Sequence, residues 1–233
     1  MKDFWLIIPT YNEADNIGEL IKRLCGIFCQ CSILVVDDNS PDGTADLVRQ
    51  TQKQFENIYL LVRPGKLGLG SAYQTGFTYA LEKGALVVGQ MDADFSHAPE
   101  DLFKLIDKIE SGYEVVIGSR RVRGGGIVGW GWWRCFTSYS ANALARKVLS
   151  LKTKDVTAGF RLYSRSALLK IDWVNIKSNG YAWQEEILFL CEKAGLKVAE
   201  VPVLFVDRER GKSKLGLSEV FNFFKVIIKL VIK

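Results

Sequence analysis

Through its first half the chain alternates strand-length apolar runs with helix-length amphipathic stretches, and this alternation limits the available folds more than any other feature. Strands are predicted at Phe4–Ile8, Ile33–Val36, Ile58–Val62, Leu86–Met91 and Glu114–Ile117. Helices are predicted between them at Ala14–Phe28, Thr44–Phe55, Ser71–Leu81 and Glu100–Ile109. Because the strand runs are apolar at successive positions, both faces of the sheet must be covered. Short βα connections then predict an α/β fold, a mostly parallel Rossmann-like sheet with helices on both faces. Gly124 to Gly131 interrupts the alternation. Beyond it the pattern loosens to a helix at Ser138–Leu149, a strand at Phe160–Tyr163, a helix at Gln184–Ala194 and a strand at Val198–Phe205. A chain of 233 residues can enclose one such core without disulfides.

In open sheets of this kind ligands bind beyond the carboxyl ends of the strands. Three polar clusters fall there: Pro9-Thr10-Tyr11-Asn12-Glu13, Asp37-Asp38-Asn39-Ser40 and Asp92-Ala93-Asp94. Two carboxylates one residue apart at a strand end cannot both enter the core. They can converge on one hard divalent cation, which in turn can hold a diphosphate. By itself the Asp92–Asp94 triplet also fits a solvated turn with an Asp cap, and Asp37–Ser40 also fits a turn leading into a helix cap.

Composition removes several other chemistries. A net charge of +5 suits an acidic substrate or an anionic surface and is too mild to demand nucleic acid. An RNA-binding reading of the Arg/Gly/Trp stretch from Arg120 to Arg134 lacks the aromatic ribonucleoprotein signature. His97 is the only histidine, which argues against a Ser-His-Asp triad and a multi-histidine zinc site. Gly124, Gly126 and Gly129 spell G-x-G-x-x-G but do not join a strand to a helix, and Val206 replaces the first glycine that a P-loop ending at Gly211-Lys212-Ser213 would need. The five cysteines cannot all pair, and with Cys25 and Cys191 on predicted helices they read as buried thiols of a reducing compartment. Met1-Lys2-Asp3 leads straight into the first strand, leaving no room for a signal peptide, and no apolar stretch reaches transmembrane length.

Ile8-Pro9-Thr10-Tyr11-Asn12-Glu13, Val36-Asp37-Asp38-Asn39-Ser40-Pro41-Asp42-Gly43-Thr44 and Asp92-Ala93-Asp94, in that order, resemble the inverting glycosyltransferases of family 2, which have the A-type fold. The resemblance narrows to the dolichol-phosphate (polyprenol-phosphate) mannosyltransferases through the motifs at Gly65–Tyr73, Asp94–Pro99, Gly118–Arg120, Thr157–Tyr163, Gly180-Tyr181 and Val206–Leu215. It implies a metal-dependent glycosyltransferase that passes mannose from GDP-mannose to a dolichyl or polyprenyl phosphate with inversion, giving a β-mannosyl phosphate lipid. UDP-glucose, or another UDP-sugar, is the alternative donor.

The resemblance also implies roles. Pro9, Tyr11, Glu13, Asp38 and Ala93 would contact the nucleotide sugar, and Asp92 and Asp94 would hold Mg²⁺ or Mn²⁺ on its diphosphate with Ser96 as third ligand. Gln184 and Glu186 would line the sugar pocket, the exposed first turn of a helix being the other reading. Arg120, Arg134, Arg208 and Lys214, with Ser138 beside them, would hold the acceptor phosphate, and Asp94, Arg120, Arg134 and Arg208 form the implied catalytic set. A phosphate oxygen is already ionised at neutral pH, so the acceptor needs cations to place it more than a base to activate it. Arg121 and Arg123 read as solvated loop charges, and His97 as a structural cap or a support to the metal's ligands as readily as a ligand itself. The chain departs from the family at Tyr139, where a basic residue is common, and at Phe95, where Leu is usual.

Residues 1–214 are expected to form the catalytic domain and residues 215–233 an interfacial helix. Leu217 to Lys233 is apolar nearly all round apart from a stripe of Lys225, Lys229 and Lys233, which suits a membrane surface or a helix packed on the core. Trp130, Trp132 and Trp133 beside Arg134 form a second candidate membrane contact. The expectation is a peripheral enzyme on the cytoplasmic face of a membrane, plasma membrane in a prokaryote or endoplasmic reticulum in a eukaryote. The family also implies a small membrane-anchored partner subunit.

Overall fold

The computed structural model describes residues 3–178, 180, 182–207, 225–228 and 230–231. Its strands are β1 (Phe4–Thr10), β2 (Ser32–Asp37), β3 (Ile58–Val62), β4 (Val87–Gln90), β5 (Val115–Ser119), β6 (Gly126–Val128), β7 (Arg161–Ser164), β8 (Val198–Pro202) and β9 (Leu204–Val206). Its helices are α1 (Ala14–Ile27), α2 (Thr44–Gln52), α3 (Leu69–Glu82), α4 (Leu102–Glu110), α5 (Trp132–Val148), α6 (Arg165–Lys170) and α7 (Ala182–Lys193), with a 3₁₀ turn at Pro99–Asp101 before α4. Seven strands form one sheet in the order β3-β2-β1-β4-β7-β5-β8, parallel except for β7, which runs antiparallel to both β4 and β5.

The alternation of side chains along a strand divides each apolar run between two layers. Phe4, Leu6 and Ile8 join Ile17, Leu20 and Leu24 of α1 and Leu102 and Leu105 of α4 in one core. Trp5 and Ile7 join Tyr73 and Phe77 of α3 and Trp183 and Ile187 of α7 in the other. Gly76 lets α3 settle onto β1, because a Cβ there would collide with Ile7 Cγ2. Gly76→Ala should therefore lower stability by about 2 kcal/mol by overpacking, although alanine is the better helix former. A urea midpoint that stays put or rises would refute that close approach.

The first five strands fall where the sequence places them. The second half departs from expectation in three ways. The run expected as one strand from Val198 to Phe205 divides after Pro202. Val203 N–H donates to the Ser119 carbonyl (3.1 Å) while its own carbonyl accepts from Gly126 (3.1 Å), and the chain steps onto a two-stranded sheet of β6 and β9. The glycine-rich break thus contains a strand. Helix α5 begins at Trp132, earlier than the expected Ser138, because only Asn142 and Ala145 along it are buried and no apolar stripe marks its start. Helix α6 is too short to show a period, although Ser164 Oγ caps it by accepting the Ala167 N–H at 3.1 Å.

The expected division at residue 214 lies outside the described residues. Residues 225–228 are helical, and Val226, Ile227 and Leu230 are buried in the same cluster as Trp5 and Trp183. One apolar face of that segment therefore packs on the catalytic core, while Lys225, Ile228 and Val231 are exposed. Lys229 and Lys233 lie outside the described residues. Among the described residues no helix is long and apolar enough to cross a membrane. All five cysteines are free thiols; Cys25, Cys31 and Cys191 are buried and Cys29 is exposed.

Candidate active site

The strand order reverses direction between β1 and β4, and the crevice at such a switch point is where open α/β sheets bind ligands. All three polar clusters border it. Thr10 Oγ1 donates to Asp37 Oδ1 (2.7 Å), and Ser40 donates to the same carboxylate through its N–H (2.9 Å) and Oγ (2.6 Å). Asn12 N–H in turn donates to Ser40 Oγ at 3.0 Å. Asp37 is wholly buried and ties the loop after β1 to the loop after β2. Glu13 extends the tie, its N–H reaching Thr44 Oγ1 at 3.0 Å and its side chain accepting from Asn16 Nδ2 at 3.1 Å. Pro9 is part-buried at the end of β1.

Each of the three loops carries one non-glycine left-handed residue: Asn12 (φ 56°), Asn39 (φ 55°) and Phe95 (φ 58°). Asparagine tolerates that conformation, whereas for phenylalanine it is an outlier. The strain at Phe95 falls between Asp94 and Ser96, within the candidate metal site.

Asp38 is held by the loop after β3. Its Oδ1 accepts from Arg63 Nε (2.5 Å) and pairs with Arg63 Nη2, and its Oδ2 accepts the N–H groups of Leu67 (3.1 Å) and Gly68 (3.3 Å). Arg63 follows directly on β3, next to β2, so a buried ion pair closes over the strand end. Four protein donors on this carboxylate shape the pocket wall here. The loop it closes holds Lys66 Nζ 4.5 Å above the Tyr11 ring.

At the end of β4, Asp92 is half-buried and accepts from Tyr73 Oη at 3.4 Å. Asp94 is buried, with its Oδ1 accepting the Ser96 N–H at 3.1 Å. Ala93 between them points into the core. Ser96 Oγ is buried without a hydrogen-bond partner among the described residues. Two carboxylates and an orphaned hydroxyl make a hard-oxygen set suited to Mg²⁺ or Mn²⁺. The set is incomplete, since among the described residues no group of three His, Cys, Asp or Glu could hold a metal. A cation would need further oxygens from a bound diphosphate, the usual way Mg²⁺ is held in nucleotide sites.

His97 lies beside this set in an apolar sandwich, its ring 5.0 Å from Phe160 and 5.2 Å from Phe205. Burial pushes its imidazole down to about 4, the Arg120 charge acts in the same direction, and Asp94 and Asp155 oppose them. The ring is neutral at pH 7, and Nδ1 has no partner among the described residues.

The arginines are more tightly held than the sequence suggests. Arg120 Nε and Nη2 grip Asp155 (2.8 and 2.7 Å), Nη2 also reaches Thr157 Oγ1 (2.7 Å), and the Arg120 N–H adds a bond to Asp155 Oδ2 (2.9 Å). Burial alone would lower the Arg120 pKa, but Asp155 outweighs it, with Asp92 helping, and the value rises. Arg120 is thus paired with a buried carboxylate at the edge of the site. Arg134 is more open, with 31% of its side chain exposed; its Nη1 donates to both oxygens of Asp207 (3.1 and 3.0 Å) and its guanidinium lies 3.9 Å over Trp130. Arg121 is not the solvated charge expected: its Nη2 donates to Ser138 Oγ at 2.9 Å and it covers the Tyr139 ring. Arg123 is exposed, as expected. Arg208 and Lys214 lie outside the described residues.

Gln184, Glu185 and Glu186 open α7, and all three are buried, which excludes an exposed first turn. Ser178 Oγ donates to Glu186 Oε2, and Gln90 Nε2 donates to Gln184 Oε1 at 2.6 Å. Arg63, Tyr73, Gln90, Asp155 and Asp207 were all missed as site residues. Tyr73 and Asp207 sit inside recognised motifs and were open to inspection; Asp155 carries no local signal.

A sequence profile described as glycosyl transferase family 2 matches residues 5–172. A polyprenol monophosphomannose synthase of Mycolicibacterium smegmatis is 41% identical over 223 residues, spanning 95% of this chain and 84% of that one. An undecaprenyl-phosphate mannosyltransferase of Micrococcus luteus is 41% identical over 210 residues, spanning 90% and 86%. Among solved structures, glucosyl-3-phosphoglycerate synthase from Mycobacterium tuberculosis in complex with phosphoglyceric acid has a TM-score of 0.70 at 18% identity, covering 99% of this chain and 79% of that one. The same enzyme with Mn²⁺, UDP and glucosyl-3-phosphoglycerate has a TM-score of 0.69 at 17% identity, again covering 99% and 79%. At such identities the likeness concerns the fold, which is the A-type glycosyltransferase fold expected from the sequence. Since the profile covers residues 5–172, well over half of the chain, and takes in all three strand-end clusters, the chain belongs to glycosyl transferase family 2.

Proposed function

We propose that this glycosyltransferase passes mannose from GDP-mannose to a polyprenyl or dolichyl phosphate, inverting the anomeric carbon to give a β-mannosyl phosphate lipid. The observation that carries the reading is 41% identity across nearly the whole chain to two proteins named for joining mannose to a polyprenyl phosphate. The site supplies the chemistry. Asp92 and Asp94, with Ser96 beside them, would hold Mg²⁺ or Mn²⁺, which when bound would supply charge neutralisation for the leaving diphosphate. Pro9, Tyr11, Glu13 and Lys66 border the nucleotide, while Asp38 keeps the Lys66 loop closed over it.

The acceptor oxygen carries its own charge, so the chain's task is to place it in line with the departing diphosphate. Of the two described arginines expected at the acceptor, Arg134 is the one solvent reaches, and its fork suits a phosphate. Arg208 and Lys214 join it in this reading, and Ser138 is held nearby by Arg121. Arg120 acts from inside the wall, through its grip on Asp155 and its charge near Asp92. Offering GDP-mannose and UDP-glucose in parallel, each with polyprenyl phosphate and Mg²⁺ or Mn²⁺, tests the proposal. The expected product is a β-mannosyl phosphate lipid; an α-linked one, or no lipid-linked product, refutes it, and glucose transfer moves the donor to UDP-glucose.

The acceptor brings the enzyme to a membrane, and an exposed surface beside Arg134 suits that contact. Trp132, Trp133, Phe136 and Tyr139 are 58–77% exposed along one end of α5, with Val128, Leu204 and Val206 exposed on the small sheet beside it. An apolar patch of this kind is unusual on a free surface, and tryptophan and tyrosine favour the lipid headgroup region. The reading is a peripheral enzyme on the cytoplasmic leaflet, with a membrane-anchored subunit as further support. Replacing Trp132 and Trp133 together by serine should weaken binding to anionic vesicles by about tenfold. Unchanged partitioning in a sedimentation assay would refute the contact.

A further inference from the structure

A single backbone carbonyl fixes the orientation of two buried amides beneath Asp92. The Gly159 carbonyl can only accept, so the Gln90 atom 2.9 Å away must be its Nε2. That same Nε2 lies 2.6 Å from the Gln184 side chain, so the Gln184 atom facing it must be the acceptor Oε1. The Gln184 amide nitrogen is thereby turned the other way, towards the space above Gly159. A Cβ on Gly159 would stand 3.7 Å from Gln184 Nε2 and 3.4 Å from Asp92 Oδ2, so the amide and the carboxylate border the same small opening. The main chain at Gln184 is fixed as well: its carbonyl accepts Arg161 Nη1 at 2.9 Å, and Arg161 also donates to the carbonyls of Ala158 and Val156, at 2.7 Å each.

We infer that Gln90 is a positioning residue for the transfer reaction: it sets Gln184 so that an N–H donor, rather than a carbonyl, faces the anionic diphosphate of the sugar donor. This rests on the proposed donor site. The two orientations of a buried amide have nearly the same shape and opposite polarity. Beside Asp92 and a diphosphate, an N–H attracts and a C=O repels, and bonds to charged acceptors are the stronger kind. Gln90 itself is wholly buried, and its Oε1 has no partner among the described residues. A buried acceptor left unsatisfied calls for a reason, and the setting of Gln184 supplies one. Nothing in the strand pattern calls for an amide at this position either, since Val87 and Val88 before it and Met91 after it are apolar.

A double-mutant cycle read by nucleotide binding tests this. Calorimetric titration of GDP with Mg²⁺ is carried out on the wild type, Gln90→Leu, Gln184→Leu and the double variant. Each single change should weaken binding by about tenfold, the effect of one hydrogen bond to a charged group, and the double variant should bind no worse than Gln184→Leu. Gln184→Glu, which keeps an acceptor towards Gln90 but places an anion beside Asp92, should bind more weakly still. Multiplying effects in the double variant, or a Gln90→Leu protein that binds as the wild type does, would overturn the inference. UDP replaces GDP in the cycle if the wild type prefers it, so a wrong donor base changes the probe and the proposed donor and leaves the role of Gln90 open to the same measurement. A wild type that binds neither nucleotide overturns both.

Discussion

Asp94→Asn is expected to cripple sugar transfer and leave the fold intact. The amide keeps the shape of the carboxylate and an oxygen to accept the Ser96 N–H, now at 3.1 Å, so the left-handed turn at Phe95 has the same support. What it loses is the charge. With Asp92 the buried carboxylate forms the paired acidic set at the end of β4, and one carboxylate with a hydroxyl holds a hard divalent cation poorly. The leaving diphosphate would then develop its charge unneutralised. A loss of about a thousandfold in kcat is expected, ~4 kcal/mol of transition-state stabilisation. Transfer of labelled mannose to polyprenyl phosphate measures the loss, and the melting temperature and vesicle binding report whether the rest of the molecule is unchanged. Transfer within tenfold of wild type would remove Asp94 from the site. A large fall in melting temperature would instead make it a residue of the fold.

The parts of this molecule that were legible in the sequence share a physical reason. Strands β1 to β5 are apolar at successive positions because both sheet faces are covered, and that leaves an unbroken hydrophobic signal. The strand-end clusters show because charge at the end of such a run has nowhere to go but the crevice. Helix α5 hid for the opposite reason: its aromatic residues face out, so apolar and exposed coincide and periodicity misleads. Strands β6 and β9 are three residues each, below the length at which alternation can be recognised. At the site, the residue types were legible and their partners were not. Asp38 and Arg120 look like ligands because they are charged and lie at strand ends. Arg63 and Asp155, which engage them, stand 25 and 35 residues away, and no local pattern links the members of either pair. Gln90 passed as one more residue of a buried strand; only the amide geometry shows it facing Gln184.

The Arg120–Asp155 pair carries the largest expected effect on stability. Asp155 is wholly buried and 7% of the Arg120 side chain is exposed. Burial alone would raise the Asp155 pKa, but the guanidinium outweighs it and holds the carboxyl below its ordinary value. Because the folded value is the lower one, the stabilisation is fully present above the unfolded carboxylate range, near pH 4, and is lost as pH falls through the folded value. Asp155→Asn leaves the buried guanidinium uncompensated at every pH. A loss of about 3–5 kcal/mol at pH 7 is expected, the usual effect of breaking one side of a buried pair. Urea unfolding measures it, and the variant should also lose less of its remaining stability than the wild type on acidification below pH 4. Removing both charges, as Arg120→Met with Asp155→Leu, should restore most of the stability, since the penalty comes from the stranded charge and not from a missing contact. A single variant within about 1 kcal/mol of wild type would mean that solvent reaches the pair. If the single variant is destabilised as expected and the double variant is no better, the bonds from Arg120 to Thr157 and from its backbone to Asp155 matter more than the charges.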